Sequence, residues 1–91
     1  MALVGYRQHL AEQLDNYADA INPTHAASIR RHFEYGELVL AANDLVSALA
    51  AERTPVSAHD AAVLRQLLEG VNLPPDTPAD IADRLVVADQ G

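Results

Sequence analysis

The residues of this chain best suited to acid–base or metal chemistry are four histidines, at positions 9, 25, 32 and 59, set among 13 aspartates and glutamates and no cysteine. His25 and His32 are spaced to share a helix face, but two turns separate them by ~10 Å, too far to hold one metal together. The sequence contains no His-Glu-x-x-His and no Glu-x-x-His pair repeated across helices. No metal is expected, and the four are read as surface or helix-end histidines. Without cysteine, neither a disulfide framework nor a thiolate site can form. Ser28, Ser47 and Ser57 offer hydroxyls, yet none lies in a Gly-x-Ser-x-Gly elbow or beside a recognisable base. Asp15 with Asp19, and Asp80 with Asp83, have the three- and four-residue spacings of any solvated acidic helix face. The glycines stand singly at 5, 36, 70 and 91, so there is no phosphate-cradling loop. No catalytic site and no cofactor are expected, and the chain is not read as an enzyme.

Surface recognition is the chemistry that remains. Glu34, Glu37, Asp44 and Glu52 form an acidic strip around Gly36. Tyr35 adds an amphipathic aromatic of the kind that anchors interfaces. The alternative is an ordinary solvated helix face with Tyr35 half-buried beneath it. Asp76, Asp80 and Asp83 make a second acidic group, which suits the positive end of a helix that begins there. The net charge is −7, and all 6 basic residues are arginines. Such a field repels phosphate backbones and anionic membranes and attracts a basic protein partner. The same acidity equally serves solubility alone.

These residues depend on helices for their placement. Leu3, Tyr6, Leu10, Leu14, Tyr17 and Ile21 make one stripe in steps of three and four. Asn22-Pro23-Thr24 ends it, with Asn22 or Thr24 able to cap the next helix. Ala26, Ile29 and Phe33 give that helix its apolar side, and Gly36 closes it in the left-handed conformation. A third helix, predicted over about Glu37 to Glu52, turns Leu38, Ala42, Leu45, Val46 and Leu49 one way and Glu37, Ala41, Asp44, Ala48 and Glu52 the other. It is the longest helix-forming run and the expected centre of the fold. Ser57 with Asp60 resembles a capping box and starts a fourth helix carrying Ala61, Leu64, Leu67, Leu68 and Val71, with Gly70 near its end. After the connector Pro74-Pro75-Asp76-Thr77-Pro78, Thr77 as N-cap and Pro78 at the first position predict a short last helix bearing Ile81, Ala82, Leu85 and Val86.

Hydrophobic residues are 49% of the chain, mostly Ala, Leu and Val, against 21% charged and 4% aromatic. That balance is globular, helix-favouring and short of large plugs for a deep cavity. The expected fold is all-α, a compact bundle of four to five helices, with residues 1–91 as a single domain. No apolar run approaches the ~20 residues of a membrane span, and the N-terminus has no basic stretch leading into an apolar one. A cytoplasmic protein is the default expectation.

From Phe33 onward the chain resembles the MafI-type immunity proteins of bacterial polymorphic toxin systems, small helical antidotes that bind and neutralise a cognate toxin domain. The shared pattern is an aromatic or aliphatic residue, Gly-Glu, then a helix with Ala and spaced Leu ending in an acid; here these are Phe33, Gly36, Glu37, Leu40, Ala41, Leu45, Leu49 and Glu52. Asp60, Leu64, Leu67, Leu68, Gly70 and Leu73 fit its continuation. The match runs over about residues 29–73, and Gly36-Glu37 is its most specific part. Asn43-Asp44 departs from the Glu-Asn order of the pattern, and the Pro-rich connector and fifth helix have no counterpart in it. The resemblance implies occlusion of a basic toxin, a nuclease among the candidates, with Glu34, Tyr35, Glu37, Asp44 and Glu52 as the contact residues. The rival reading is an acidic helical adaptor or homodimer with no toxin partner. Acyl carrier proteins are a poorer comparison, because Ser47 lies in Leu-Val-Ser-Ala-Leu within a helix and no Asp-Ser-Leu occurs.

Overall fold

The structure, a computed structural model, describes residues 5–88. Among them are four helices: α1 (Tyr6–Tyr17), α2 (Pro23–Glu34), α3 (Leu38–Ala51) and α4 (Ala58–Leu68). A 3₁₀ turn, Ala18–Ala20, extends α1, and another, Ile81–Arg84, comes after the Pro-rich connector. The fold is all-α and compact; its Cα radius of gyration, 11.9 Å, matches the ~12 Å expected for a compact chain of this length. Leu3, the first residue of the predicted stripe, lies outside the described residues.

The helix ends obey the local chemistry of the sequence. Asn22 caps α2 through its side-chain oxygen, which accepts the Thr24 N–H at 2.8 Å, and Pro23 takes the first helical position. At the other end of α2, Gly36 has φ 77°, and Glu37 N–H returns to His32 O at 2.9 Å. The six-to-one bond and the left-handed residue beneath it are a Schellman closure. α3 ends the same way, with Thr54 N–H bonded to Leu49 O at 3.0 Å, but the left-handed position is held by Arg53 at φ 54°. Ser57 caps α4 by accepting the Asp60 N–H at 3.0 Å. The Asp60 side chain does not reach back to complete a capping box; it bonds to α1 instead.

α3 is the central element, in contact with the other three helices and with the C-terminal turn. Leu45, Val46 and Leu49 are fully buried, together with Leu10, Ile29, Leu64, Leu67 and Val56 from the surrounding segments. The sequence assigned Ala41 and Ala48 to a solvent face of α3, and the structure corrects this. Both are buried, because α2 packs across that side. Only Leu40 and Ala51 on α3 are exposed.

The predicted fifth helix is also corrected, to a single 3₁₀ turn. Thr77 does not act as an N-cap; its hydroxyl lies 3.2 Å from Asn43 Nδ2 on α3 and accepts from it. Ile81 and Leu85 still reach the core as their spacing suggested. Beyond Leu85 the backbone extends to meet Val56: Val56 N–H donates to Val86 O at 2.9 Å and Ala88 N–H to Val56 O at 2.7 Å. Asp80 and Asp83, read as complements to a helix N-terminus, pair with Arg84 and Arg65 respectively. No helix among the described residues is long and apolar enough to cross a membrane.

Candidate interaction site on the second and third helices

The corner at Gly36 folds α3 back along α2, and antiparallel packing then sets which side chains meet. His25, in the first turn of α2, lies opposite the end of α3, with Nδ1 2.9 Å from Glu52 Oε2. Two turns along α2, His32 places Nδ1 2.9 Å from Glu37 Oε1 and Nε2 3.4 Å from Asp44 Oδ2. The two histidines share a face, as their spacing suggested, but each contacts carboxylates of the neighbouring helix. Their reading as surface or helix-end histidines omitted these contacts. The signal lay in the matching separations on the two helices, and it could be used only once the register between them was known.

Glu52 has a second role. Its Oε1 accepts the backbone N–H of Asn22 at 2.9 Å, at the start of α2. A carboxylate at the C-terminal end of its own helix sits against the negative pole of that helix dipole, which is unfavourable. Here it is placed on the positive end of α2, which reverses the sign of the effect.

Between the His25–Glu52 contact and the His32–Asp44 contact lies an open groove of about 370 Å³, lined by His25, Ser28, Ile29, Asp44, Ser47, Ala48 and Ala51. Ile29 and Ala48 are buried and form its base. The groove exists because the residues facing one another there are small, so the helices approach without long side chains covering the seam.

The proposed contact residues do not form one continuous strip. Glu37, Asp44 and Glu52 belong to the α2–α3 seam, with their carboxylates directed at α2. Glu34 lines a separate depression on the α1 side of α2, beside Asp15 and Arg30. Tyr35 is 76% exposed at the corner, so it is not half-buried beneath an acidic face. Leu40, the first exposed residue of α3, is 37% exposed close by in the chain. Phe33 points inward, packed against the core and covered by the Arg7 guanidinium 4.5 Å from its ring centre.

A second polar cluster joins α1 to the start of α4. Asp60 accepts from Tyr17 OH at 2.5 Å and from Gln13 Nε2 at 3.0 Å, and Tyr17 OH accepts in turn from the Ser57 N–H at 3.3 Å. Burial alone would raise the Asp60 carboxyl, but the hydrogen bonds from Tyr17, Gln13 and Ser57 outweigh it and hold it below its ordinary value. Burial, and after it the Asp60 hydrogen bond, raises the Tyr17 hydroxyl. Every member of this cluster is tied to another helix, which suits a structural post. Sequence reading did not anticipate it, because Gln13 carries no sign that it is buried.

Among the described residues no group of three or more His, Asp or Glu side chains is arranged to hold a metal ion. Comparison with known proteins finds no matching family model, no matching curated protein and no matching solved structure.

Proposed function

We propose that this chain is a cytoplasmic immunity protein that binds a cognate bacterial toxin domain, a basic nuclease, and neutralises it by occlusion. The observation that carries the reading is the corner between α2 and α3, where Tyr35 and Leu40 stand exposed next to the seam that holds Glu37, Asp44 and Glu52. An exposed aromatic beside an acidic seam is a surface that fits a basic cleft. Toxin nucleases hold phosphate in such clefts, so the acidic surface would take the place of the substrate's charge. A net charge of −7 would speed the encounter. The resemblance over residues 29–73 converges on the same corner through Gly36-Glu37.

The test is co-expression with the product of the adjacent upstream gene, and then co-purification. Relief of growth arrest and a stable complex are expected, and absence of both overturns the reading. Within such a complex, Tyr35→Ala should weaken binding by about 2 kcal/mol or more, the scale of an interface anchor. The association rate should fall steeply between low and physiological salt. An adaptor or homodimer held by the exposed Tyr35 and Leu40 would instead self-associate, with little dependence on salt.

A further inference from the structure

We propose that the groove between α2 and α3 receives an arginine side chain of the protein partner, with its guanidinium on the Asp44 carboxylate and its aliphatic stem over Ile29, Ala48 and Ala51. The inference deepens the proposed function and rests on it for the basic character of the partner.

His32 meets its two acidic neighbours unequally. Its ring stands between two carboxylates, 2.9 Å from Glu37 through Nδ1 and 3.4 Å from Asp44 through Nε2. The 3.4 Å separation is long for a hydrogen bond. Asp44 has no other side-chain or backbone donor among the described residues. At the opposite end of the groove the situation differs, because Glu52 is already engaged by the Asn22 N–H and by His25. The groove therefore has one carboxylate that needs a donor, and Asp44 is also one of its lining residues.

The shape fits a long side chain with a charged end. The cavity of about 370 Å³ has a buried apolar base in Ile29 and Ala48, and Ser28 and Ser47 beside it are too short to fill it. Arginine buries its methylene stem along apolar surface while keeping its head polar. Its planar fork donates two parallel bonds to a carboxylate, and it gives up water more readily than an ammonium. Lysine offers a more strongly hydrated point charge to the same oxygen atoms. The overall negative field of the chain draws either cation in, and the fork matches Asp44 better.

The test is a chemical-shift titration of the full ¹⁵N-labelled chain with N-acetyl-arginine amide, using N-acetyl-norleucine amide as the uncharged control. Saturable shifts centred on Ser28, Ile29, Asp44, Ser47 and Ala48 are expected, with none from the control. Asp44→Asn should weaken arginine binding by about tenfold or more, the scale of a lost charge-assisted pair. Ser47→Leu keeps the charge and fills the groove, so it should abolish the saturable shifts by a different route. Shifts spread evenly over Asp15, Asp19 and Asp76, or binding unchanged in both variants, overturn the proposal. A chain that takes no arginine in this groove yet still relieves toxin-dependent growth arrest removes the groove assignment and leaves the immunity reading intact. Saturable arginine docking with no such relief supports the groove and removes the toxin.

Discussion

The α2–α3 seam and the Asp60 cluster are both built from carboxylates and neutral polar side chains, yet they are wired in opposite ways. In the cluster, Tyr17 and Gln13 both direct donors at Asp60, while Ser57 gives its N–H to Tyr17 and accepts the Asp60 N–H. In the seam, His32 meets two carboxylates, Glu37 closely at 2.9 Å and Asp44 only at 3.4 Å, and Asp44 has no closer partner among the described residues. In the first arrangement the Asp60 carboxylate and the donors around it are matched within the chain, with the buried Gln13 Oε1 left unpaired, and the cluster joins α1 to α4. The second is incomplete and faces outward. A polar group whose partners all lie inside the molecule works for the fold, and one left short of partners at the surface is open to something else.

The largest effect that would test this contrast comes from Asp60→Ala. It removes a charged acceptor from Tyr17 and Gln13 and strands both donors, so a loss of about 3 kcal/mol is expected from urea unfolding. Asp60→Asn isolates the charge. Because the carboxyl is held below its ordinary value in the fold, its stabilisation is fully present above the unfolded pKa of about 3.9 and is lost as pH falls through the folded value. The Asn variant should therefore have a shallower decline in stability on the acid side. Tyr17 works with the opposite sign. Its raised hydroxyl stabilises the fold below the unfolded pKa of about 10, and that contribution is lost as pH rises through the folded value. If Asp60→Ala cost no more than a seam substitution, the distinction between the two regions would collapse.

A smaller effect separates the seam's backbone from its ion pairs. Gly36 has φ 77°, and a Cβ placed there would meet nothing within 4 Å, so Gly36→Ala carries only the conformational penalty, about 1 kcal/mol. Arg53 occupies the equivalent position after α3, at φ 54°. Arg53→Gly should stabilise by about 0.5 kcal/mol, which is the part of the relieved strain left after glycine's greater freedom in the unfolded chain is counted. Thermal or urea unfolding of the two variants should show opposite signs. The same sign in both would mean that the two helix ends are not equivalent closures.

The local signals in the sequence were sufficient for the first four helices. Pro23, Gly36 and Ser57 mark starts and stops by chemistry that operates within a few residues, and the structure places them at those ends. Features that depended on distant partners were not legible. Thr77 and Pro78 are a valid helix start in isolation, but Thr77 is drawn to Asn43 and the chain past Leu85 pairs with Val56. Ala41 and Ala48 suit either a core or a surface, and the docking of α2 decides it. The site was half legible for the same reason. Tyr35, Glu37, Asp44 and Glu52 were singled out by type and position, whereas the histidines opposite them required the antiparallel register that the corner at Gly36 sets.

The smallest expected effect is at His32 itself. Its contacts with Glu37 and Asp44 are partly exposed, and pairs of that kind contribute between nothing and about 1 kcal/mol. Glutamine at this position keeps a donor amide of similar reach and is a better helix former, so His32→Gln should change stability by less than about 0.5 kcal/mol in urea unfolding near neutral pH. The packing beneath accounts for this, since Ile29, Ala41, Ala48 and Leu45 hold α2 to α3 without the ring. The proposed arginine docking is a different matter. Replacing the ring alters the contact beside Asp44, so the arginine titration should respond while the unfolding curve does not. A large loss of stability with unchanged arginine binding would reverse the assignment, making the seam the structural element and the groove incidental to it.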